Sequence, residues 1–400
     1  MTKRRDLLKT ISSFPLLNGL VGGSILSETF ESTSSSRRRD YFSELGVRSF
    51  INAAGTYTSM SGCLMNPEVM DAINYASNHY ANIDELQDAV GERIAELLHC
   101  EYATITSGAF SAITLGTAGV MTGMDPKKAS LLPNDTTGMK HEVILQKSHH
   151  IGYSHAIRNA GATLIIVETA EEMESAINEN TAMLWFLNYA NPDGEIKYEQ
   201  FIQTGKRHGV PTMIDCAADV PPVENLWKYT DMGFDLVCFS GGKGIRGPQS
   251  AGLLLGRRDL IEAARVSAAP RGDTVGRGMK VNKEETLGMY IALESYVNRD
   301  HQKDWDMWDQ QIDHIIETIA DIDGVKCEKH VPEIANHVPS LRVHLDEEIL
   351  GETKIREKLE LGHPSIQTVG NDKSVGITTW MMNEGEERIV ARRIKEILTA

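Results

Sequence analysis

One stretch of the sequence, DLVCFSGGKGIRGPQSAGLLLGR at residues 235–257, constrains the fold of this chain more than any other. It predicts a buried apolar strand, a polar loop rich in glycine, and a second apolar strand. The loop carries Lys243, and an amine between buried strands is costly to desolvate unless the protein uses it. Burial lowers the pKa of an amine and makes it nucleophilic, so Lys243 is a candidate Schiff-base lysine. A surface lysine in a flexible hairpin is the alternative interpretation.

A second apolar run, VPTMIDCA at residues 210–217, carries an acid, Asp215, near its end. A strand-end carboxylate and a downstream lysine are what a site for pyridoxal phosphate requires. The carboxylate keeps the pyridine nitrogen protonated, so that the ring accepts electrons, and the lysine holds the aldehyde as an imine. A lone aspartate at a strand end is usually structural. The pair of Asp215 and Lys243 is therefore only moderately specific, and its interpretation depends on the rest of the chain.

Strands alternate with helices from about residue 101 to about residue 256. This order predicts the α/β class, with a mostly parallel sheet and helices on both faces. Ligands of such sheets bind at the carboxyl ends of the strands. The side chains that follow apolar strand runs are Ser107, His149, Asp215 and Lys243. The pattern therefore brings them to one crevice.

The segment EYATITSGAFSAITLGTAGVMTG at residues 101–123 predicts a strand, a Ser-Gly turn and an apolar helix. Ser107, Gly108 and Ala109 would lie at the helix N-terminus, where free backbone N–H groups and the helix dipole bind phosphate. A strand followed by such a helix is common in α/β proteins, so this signal is weak when taken alone.

Three histidines, His149, His150 and His155, follow the predicted strand at residues 142–146. A metal site would need a further carboxylate or thiol ligand, and the sequence offers none nearby. We therefore expect no metal, and we expect the ring of His149 or His150 to stack on a flat cofactor. His155 lies in a helical stretch and is expected only to pack there.

The predicted elements divide the chain into three regions. Residues 1–39 form a signal-like segment and a Ser-rich linker, residues 40–300 form a large α/β domain, and residues 301–400 form a small α+β domain. Two arginines are candidates to bind a substrate carboxylate. Arg277 lies in a Gly-flanked basic loop, and Arg342 lies on a predicted strand of the small domain. Either one could instead make an ordinary surface ion pair.

The charge of the chain argues against a nucleic-acid partner. The formal net charge is −16, and a basic N-terminal segment makes the remainder more acidic still. Such a body binds nucleic acid poorly in the absence of a local basic patch. The 5 cysteines are widely spaced and form neither a CxxC pair nor a metal-ligand pattern. A small molecule is the expected partner.

The N-terminal segment MTKRRDLLKTISSFPLLNGLVGGSIL has Arg4 and Arg5 side by side before a moderately apolar run. This pattern resembles a twin-arginine export signal, with a disordered basic tail as the alternative. The run is too short and too rich in glycine for a stable membrane span. We expect a periplasmic or exported protein, and a cytoplasmic location is the alternative.

Three motifs resemble those of fold-type I pyridoxal-phosphate enzymes: SGGKGIRGPQ at residues 240–249, MIDCAA at residues 213–218 and TSG at residues 106–108. The similarity is greatest to the family of selenocysteine synthase (L-seryl-tRNA selenium transferase), whose relatives include D-glucosaminate-6-phosphate ammonia lyase. It covers about residues 40–398. The resemblance implies a mostly parallel sheet of the seven-stranded type and a small C-terminal domain.

The resemblance also implies a role for each candidate residue. Lys243 forms the imine, Asp215 pairs with the pyridine nitrogen, and His149, or alternatively His150, faces the ring. The residues implied to hold the phosphate are Ser107, Gly108, Ala109 and Ser240. Enzymes of this fold are usually dimers or larger. A homodimer or higher homo-oligomer is therefore implied, with Arg277 as a candidate contribution to a neighbouring subunit's site.

The function we expect is that of a pyridoxal-phosphate lyase acting on an amino acid or an amino sugar acid. It would proceed by α-proton abstraction and β-elimination, with Lys243 as general base. A racemase or an aminotransferase is the alternative within the same chemistry. A non-catalytic protein of this fold in an exported complex is the alternative of another class, and the intact pair of Lys243 and Asp215 argues against it. Selenium transfer is not expected, because the selenium transferases carry a tRNA-binding domain and basic surfaces whereas this body is acidic.

Overall fold

Apolar runs of the sequence become the strands of the structure, a computed structural model that describes residues 39–346, 354–371 and 374–400. In chain order the strands are β1 (Phe50–Asn52), β2 (Tyr102–Thr106), β3 (Glu142–Gln146), β4 (Thr163–Val167), β5 (Thr181–Leu187), β6 (Thr212–Asp215), β7 (Leu236–Ser240), β8 (Gly252–Gly256), β9 (Val325–His330), β10 (Ser340–Leu345), β11 (Ser365–Gln367), β12 (Val369–Asn371) and β13 (Ser374–Thr378). Strands β2, β5, β6 and β8 are buried at every position, as expected where helices cover both faces of a sheet.

The helices fill the intervals between these strands. In chain order they are α1 (Tyr41–Glu44), α2 (Pro67–Ser77), α3 (Ile83–Leu98), α4 (Gly108–Thr122), α5 (Pro126–Leu131), α6 (His155–Asn159), α7 (Ala170–Ala176), α8 (Tyr198–His208), α9 (Asn225–Met232), α10 (Arg258–Val266), α11 (Lys283–Val297), α12 (His301–Ile319), α13 (Ile355–Leu361) and α14 (Glu386–Leu398). Local residues set several boundaries. Asn282 forms a capping box with Glu285 at the start of α11, and Gly209, with φ of 61°, ends α8.

The central sheet has the strand order β2-β8-β7-β6-β5-β3-β4. Its neighbouring strands are parallel except at β8, which runs antiparallel to β2 and β7. The register places Asp215 of β6 between Leu187 of β5 and Cys238 of β7. This 7-stranded sheet confirms the predicted α/β class and the mostly parallel arrangement.

Helices cover both faces of the central sheet and bury a core on each. Helices α4, α6 and α10 pack on one face, around Trp185 and Met213. Helices α3, α8, α9 and α11 pack on the other face, around Phe186 and Ile214. Because side chains alternate along a strand, Asp215 shares the α4 face with Met213, and Phe186 lies on the opposite face.

A second, antiparallel sheet has the order β12-β13-β10-β9. Helices α12, α13 and α14 share a core with its strands, which includes Ile312, Leu341 and Val390. Strand β1, from near the start of the described chain, pairs in parallel with β11. The C-terminal part therefore has an α+β arrangement that also takes in an N-terminal strand.

The described chain falls into two units, one ending at Arg48 and the other spanning Ser49–Ala400. In the first unit, Asp40 caps the short helix α1 by accepting a hydrogen bond from Ser43 N at 3.0 Å. The predicted export signal lies outside the described residues. The predicted division into domains of residues 40–300 and 301–400 stays a prediction. Among the helices described, none combines the length and the hydrophobicity that a bilayer span requires.

Helix α4 packs closely against α10, and a glycine in α4 makes this possible. A Cβ added at Gly119 would overlap the backbone of Ala263 and Ala264 in α10. A Cβ added at Gly116, one turn earlier, would lie 3.3 Å from the sulfur of Met213, a flexible side chain. The position of α4 therefore depends on Gly119 more than on Gly116.

We predict that Gly119→Ala lowers the free energy of unfolding by about 1–3 kcal/mol, because the backbone of α10 has to shift. Gly116→Ala is the matched control in the same helix. Alanine gains up to about 1 kcal/mol of helix propensity there, which offsets the crowding of Met213. Chemical denaturation of both variants measures the difference, and equal effects would contradict the packing described.

Candidate active site

The carboxyl ends of β2, β3, β5, β6 and β7 meet at one edge of the central sheet. Asp215 and Ser240 are the last residues of their strands, and the residues that follow the other strand ends are Ser107, His149, His150 and Asn188. Lys243 lies in the turn after β7. The predicted convergence therefore holds for the chain positions. The side chains differ in whether they open into the crevice.

Asp215 ends β6 and is only 4% exposed. Its Oδ1 accepts hydrogen bonds from Ala217 N at 3.0 Å and from Cys238 Sγ at 3.6 Å. Among the described residues these are its hydrogen bonds, so Oδ2 is left for a further donor, as the pyridine nitrogen of the predicted cofactor requires. Burial raises the pKa of Asp215, and the positive charge of Lys243 opposes that rise.

Lys243 is half-buried in the tight turn between β7 and β8. Burial lowers the pKa of its amine, and the carboxylates of Asp215 and Asp219 oppose that fall. The turn needs its glycines: a Cβ at Gly244 would overlap the Val220 carbonyl. An amine with a lowered pKa beside buried carboxylates is suited to act as a nucleophile and as a proton carrier.

The N-terminus of α4 has the features of a phosphate site. The helix begins without a side-chain cap and carries no acidic residue in its first turn. Gly108 has φ of 84°, in the left-handed region that glycine favours. Ser107 Oγ lies 2.9 Å from Ser111 Oγ, so two hydroxyls flank the free N–H groups. Together these groups fit a dianion such as the phosphate of the predicted cofactor.

Ser240 lies close to this helix N-terminus through β8. It is opposite Gly252 in the register of β7 and β8, and it is half-buried. A Cβ at Gly252 would lie 2.7 Å from the backbone nitrogen of Ala109 and would also overlap Gly108. The four residues predicted to hold phosphate are thus grouped around one glycine.

The structure corrects the prediction that the ring of His149 faces the cofactor. His149 is 0% exposed, and its ring packs edge-on against Phe186 with the centroids 4.4 Å apart. Its Nδ1 accepts from Leu187 N at 3.2 Å, and its Nε2 lies 3.3 Å from the amide of Gln146. Burial, and then the charge of Lys197, lowers the pKa of His149 to about 4. A neutral histidine packed on the face opposite Asp215 leaves no ring surface for a cofactor.

His150, the predicted alternative, is exposed and remains the candidate for stacking on the cofactor ring. His155 begins α6, and Arg158 bonds its Nδ1 at 2.9 Å, so it packs locally as expected. Within the described ranges, no group of three or more His, Cys, Asp or Glu side chains could hold a metal ion.

The two candidate arginines differ in whether they form an ion pair. Arg342 of β10 lies opposite Glu328 of β9 and forms an ion pair with it at 3.5 Å. Arg277 is exposed, and no ion pair between described residues involves it. Arg342 thus makes the surface pair that was the alternative for it, and Arg277 remains open for an anion.

Sequence reasoning missed a buried polar network beside Asp215. Asn188 donates to Asp219 Oδ2 at 2.7 Å and contacts the hydroxyl of Tyr229 at 2.8 Å, and it accepts from the hydroxyl of Tyr198. Asn188 and Asp219 are each 2% exposed. The signal in the sequence was an asparagine directly after an apolar strand and a second acid soon after Asp215. Neither residue type alone predicts the network.

Asp219 is deeply buried, and its carboxyl group has a raised pKa. Burial raises its pKa from 3.8 to about 6, the hydrogen bond from Asn188 opposes the rise, and the negative charge of Asp215 adds to it. Asp219 also supports the charged form of the Lys243 amine. Two buried carboxylates and one half-buried amine therefore share this part of the crevice.

Residues 73–363 match the aminotransferase class-V family. D-Glucosaminate-6-phosphate ammonia lyase of Salmonella typhimurium is similar to this chain, with 28% identity over 372 residues that cover 89% of this chain and 97% of the enzyme. L-Seryl-tRNA(Sec) selenium transferase of Aquifex aeolicus is 25% identical, covering 80% of this chain and 77% of the enzyme.

A solved structure of D-glucosaminate-6-phosphate ammonia-lyase superposes on the fold with a TM-score of 0.80. The two proteins are 27% identical in this comparison, which covers 90% of this chain and 99% of the other. The similarity in sequence and the similarity in structure thus cover nearly equal shares of the chain.

We predict that the two adjacent histidines respond differently to substitution. His150→Ala should weaken pyridoxal-phosphate binding by up to about tenfold, because a stacked aromatic contact contributes about 0.5–1.5 kcal/mol. His149→Gln should lower the stability of the fold and leave cofactor affinity nearly unchanged. Cofactor titration and thermal denaturation of both variants measure the two effects, and the reverse assignment would restore His149 to the site.

We also predict a pH-dependent contribution of Asp219 to stability. Its folded pKa of about 6 lies above its ordinary value of 3.8, so its contribution is fully present below the lower value and is lost as pH rises through the higher one. The stability of the cofactor-free wild type relative to Asp219→Asn should therefore fall by about 2 kcal/mol between about pH 4.5 and about pH 7.5. Urea denaturation measures this, and a difference that is constant or rises with pH would be contradictory.

Proposed function

This chain belongs to the aminotransferase class-V family, and we propose that it is a pyridoxal-phosphate-dependent lyase that eliminates ammonia from an amino acid or an amino sugar acid. The observation that carries the proposal is that the half-buried amine of Lys243 and the buried carboxylate of Asp215, both at the carboxyl edge of the sheet, influence each other's charge. The resemblance inferred from the sequence motifs is confirmed by this family membership.

The cofactor of this family is pyridoxal phosphate. The residues that fit it are the open Oδ2 of Asp215, the amine of Lys243, and the N-terminus of α4 with Ser107. When bound, the cofactor supplies an electron sink that stabilises the carbanion left after a substrate α-proton departs.

Lys243, Asp215 and the N-terminus of α4 have different tasks in the proposed reaction. Lys243 Nζ would hold the cofactor between turnovers and, when free, would take the substrate α-proton as general base. Its lowered pKa raises the fraction of unprotonated amine at neutral pH, which a base requires. Asp215 Oδ2 would keep the pyridine nitrogen protonated and in place, and the N-terminus of α4 would hold the phosphate.

The substrate class follows from two considerations. The Salmonella typhimurium relative, whose similarity covers 89% of this chain, is named for ammonia elimination from an amino sugar acid phosphate. Selenium transfer to a tRNA is not proposed, because the formal net charge of −16 opposes binding to a polyanion. A small anionic amine is therefore the proposed substrate.

Two further properties remain our proposals. We infer a homodimer or larger assembly in which Arg277, exposed and outside the ion pairs of the described residues, contributes to a neighbouring site. Light scattering tests the oligomeric state, and a monomer at micromolar concentration would contradict the proposed assembly.

We infer export through the twin-arginine route from Arg4 and Arg5. Cell fractionation of wild type and Arg4→Lys/Arg5→Lys tests that, and equal retention in the cytoplasm would oppose it.

The proposed reaction is tested by release of ammonia and keto acid across a panel of amino acids and amino sugar acids. We predict release with at least one member, and a loss of about 10²–10⁴-fold in rate for Lys243→Ala, the range for removal of a general acid–base group. Lys283→Ala is the control, because Lys283 forms its contacts with Ala76 and Glu284 away from the site. Racemised or transaminated product without ammonia would replace the lyase by one of its alternatives.

A second measurement locates the cofactor independently of turnover. Borohydride reduction of the purified protein followed by peptide mapping should place a pyridoxyl group on Lys243. A label on any other lysine would refute the assignment of Lys243, whatever reaction the enzyme catalyses.

A further inference from the structure

The thiol of Cys238 lies directly beside the buried carboxylate of Asp215. The two residues are opposite each other in the register of β6 and β7, which run in parallel. Cys238 packs in the core on the α4 face of the sheet, the face that Asp215 shares with Met213. Its Sγ lies 3.6 Å from Asp215 Oδ1 and donates a hydrogen bond to that oxygen. The pairing of two neighbouring strands thus creates this contact.

The position of Cys238 along β7 lies between the core and the crevice. The residues of β7 whose side chains alternate onto this face are Leu236, Cys238 and Ser240. Leu236 and Cys238 are fully buried, whereas Ser240 at the end of the strand is half-buried. The thiol therefore approaches the carboxylate of Asp215 from the side of the core, away from the crevice.

The two oxygens of the Asp215 carboxylate have different surroundings. Oδ1 accepts from Ala217 N at 3.0 Å as well as from Cys238 Sγ. None of the described residues donates a hydrogen bond to Oδ2. Rotation of the carboxylate out of its present plane would break both hydrogen bonds to Oδ1. The two donors together therefore fix the direction in which Oδ2 points.

The thiol of Cys238 is suited to act as a donor at neutral pH. Burial, and then the negative charge of Asp215, raise the pKa of Cys238 well above its ordinary value, so the sulfur keeps its proton. The hydrogen bond in turn favours the ionised form of Asp215 and opposes the rise of its pKa that burial causes. Because a thiol is a weak donor, the carboxylate remains available to a stronger partner at Oδ2.

We propose that Cys238 is a positioning residue for the cofactor, whose thiol keeps the carboxylate of Asp215 ionised and turned so that Oδ2 meets the protonated pyridine nitrogen. This inference rests on the proposed function, because Cys238 has this task only if Asp215 serves that nitrogen. The alternative is a thiol that only fills space in the core, as buried cysteines commonly do.

Infrared spectroscopy of the cofactor-free protein tests the contact itself. The S–H stretching band of a cysteine moves to lower frequency when the thiol donates a hydrogen bond, and the band of Cys238 is identified by its loss in Cys238→Ser. We expect this band to move to higher frequency in Asp215→Asn, because a neutral amide is a weaker acceptor than a carboxylate. A band that Asp215→Asn leaves unchanged would refute the hydrogen bond and the proposal.

Titration with pyridoxal phosphate, followed by absorbance, tests the positioning role. Cys238→Ala should weaken binding roughly threefold to tenfold, the effect of one ordinary hydrogen bond, and Cys238→Ser should bind like wild type because a hydroxyl also donates. Cys216→Ala is the matched control and should also bind like wild type. Cys216 is buried as well, but it packs in the core on the opposite face, and its thiol hydrogen-bonds Asp219 rather than Asp215.

The results distinguish this inference from the proposed function. An unprotonated nitrogen in the wild type, measured by the ¹⁵N chemical shift of ring-labelled pyridoxal phosphate, would remove the role of Asp215 and that of Cys238 with it. If the nitrogen is protonated and Cys238→Ala binds the cofactor as tightly as Cys216→Ala, only the role of Cys238 is refuted. Equal weakening by Cys238→Ser and Cys238→Ala would likewise show that the thiol only fills space.

Discussion

The burial of one carboxylate, Asp215, beside one amine, Lys243, is the constraint on which the rest of this structure depends. Burial disfavours the charged form of each group, and each charge partly restores the other. The remaining cost of desolvating the two groups lowers the stability of the fold. The same burial shifts their pKa values, which is typical of groups that take part in catalysis. The large apolar sheet, with helices on both faces, supplies the stability that permits it. The Oδ2 of Asp215, which has no hydrogen-bond partner among the described residues, is where a positively charged ligand atom would stabilise the carboxylate.

Much of the fold was predictable because its strands are short apolar runs that tolerate few other structures. The runs at β6 and β7 identified both Asp215 and Lys243, since parallel strands present their carboxyl ends at one edge. The candidate phosphate site at α4 was predictable for a similar reason. A helix N-terminus that directly follows a strand has its position set by local chain geometry alone, and the small residues Ser107, Gly108 and Ala109 leave its N–H groups accessible.

Other features depend on which face of the sheet a side chain occupies, and local sequence does not determine that outside a regular strand. His149 lies in a 3-10 turn after β3, so strand alternation no longer applies and its ring packs on Phe186 rather than in the crevice. The network of Asn188, Asp219 and Tyr229 and the pairing of Arg342 with Glu328 join residues far apart in the chain. The contact of Cys238 with Asp215 likewise exists only after β6 and β7 have paired. Such contacts arise from tertiary packing, which periodicity does not encode.

In the proposed active site, Asp215 keeps the pyridine nitrogen of the cofactor protonated inside the crevice. The most direct measurement is the ¹⁵N chemical shift of ring-labelled pyridoxal phosphate bound to the wild type and to Asp215→Asn, followed from about pH 6 to about pH 9. The account predicts a protonated nitrogen across this range in the wild type and an unprotonated one in the variant, because a neutral amide cannot stabilise the pyridinium charge. An unprotonated nitrogen in the wild type, or the same shift in both proteins, would contradict it.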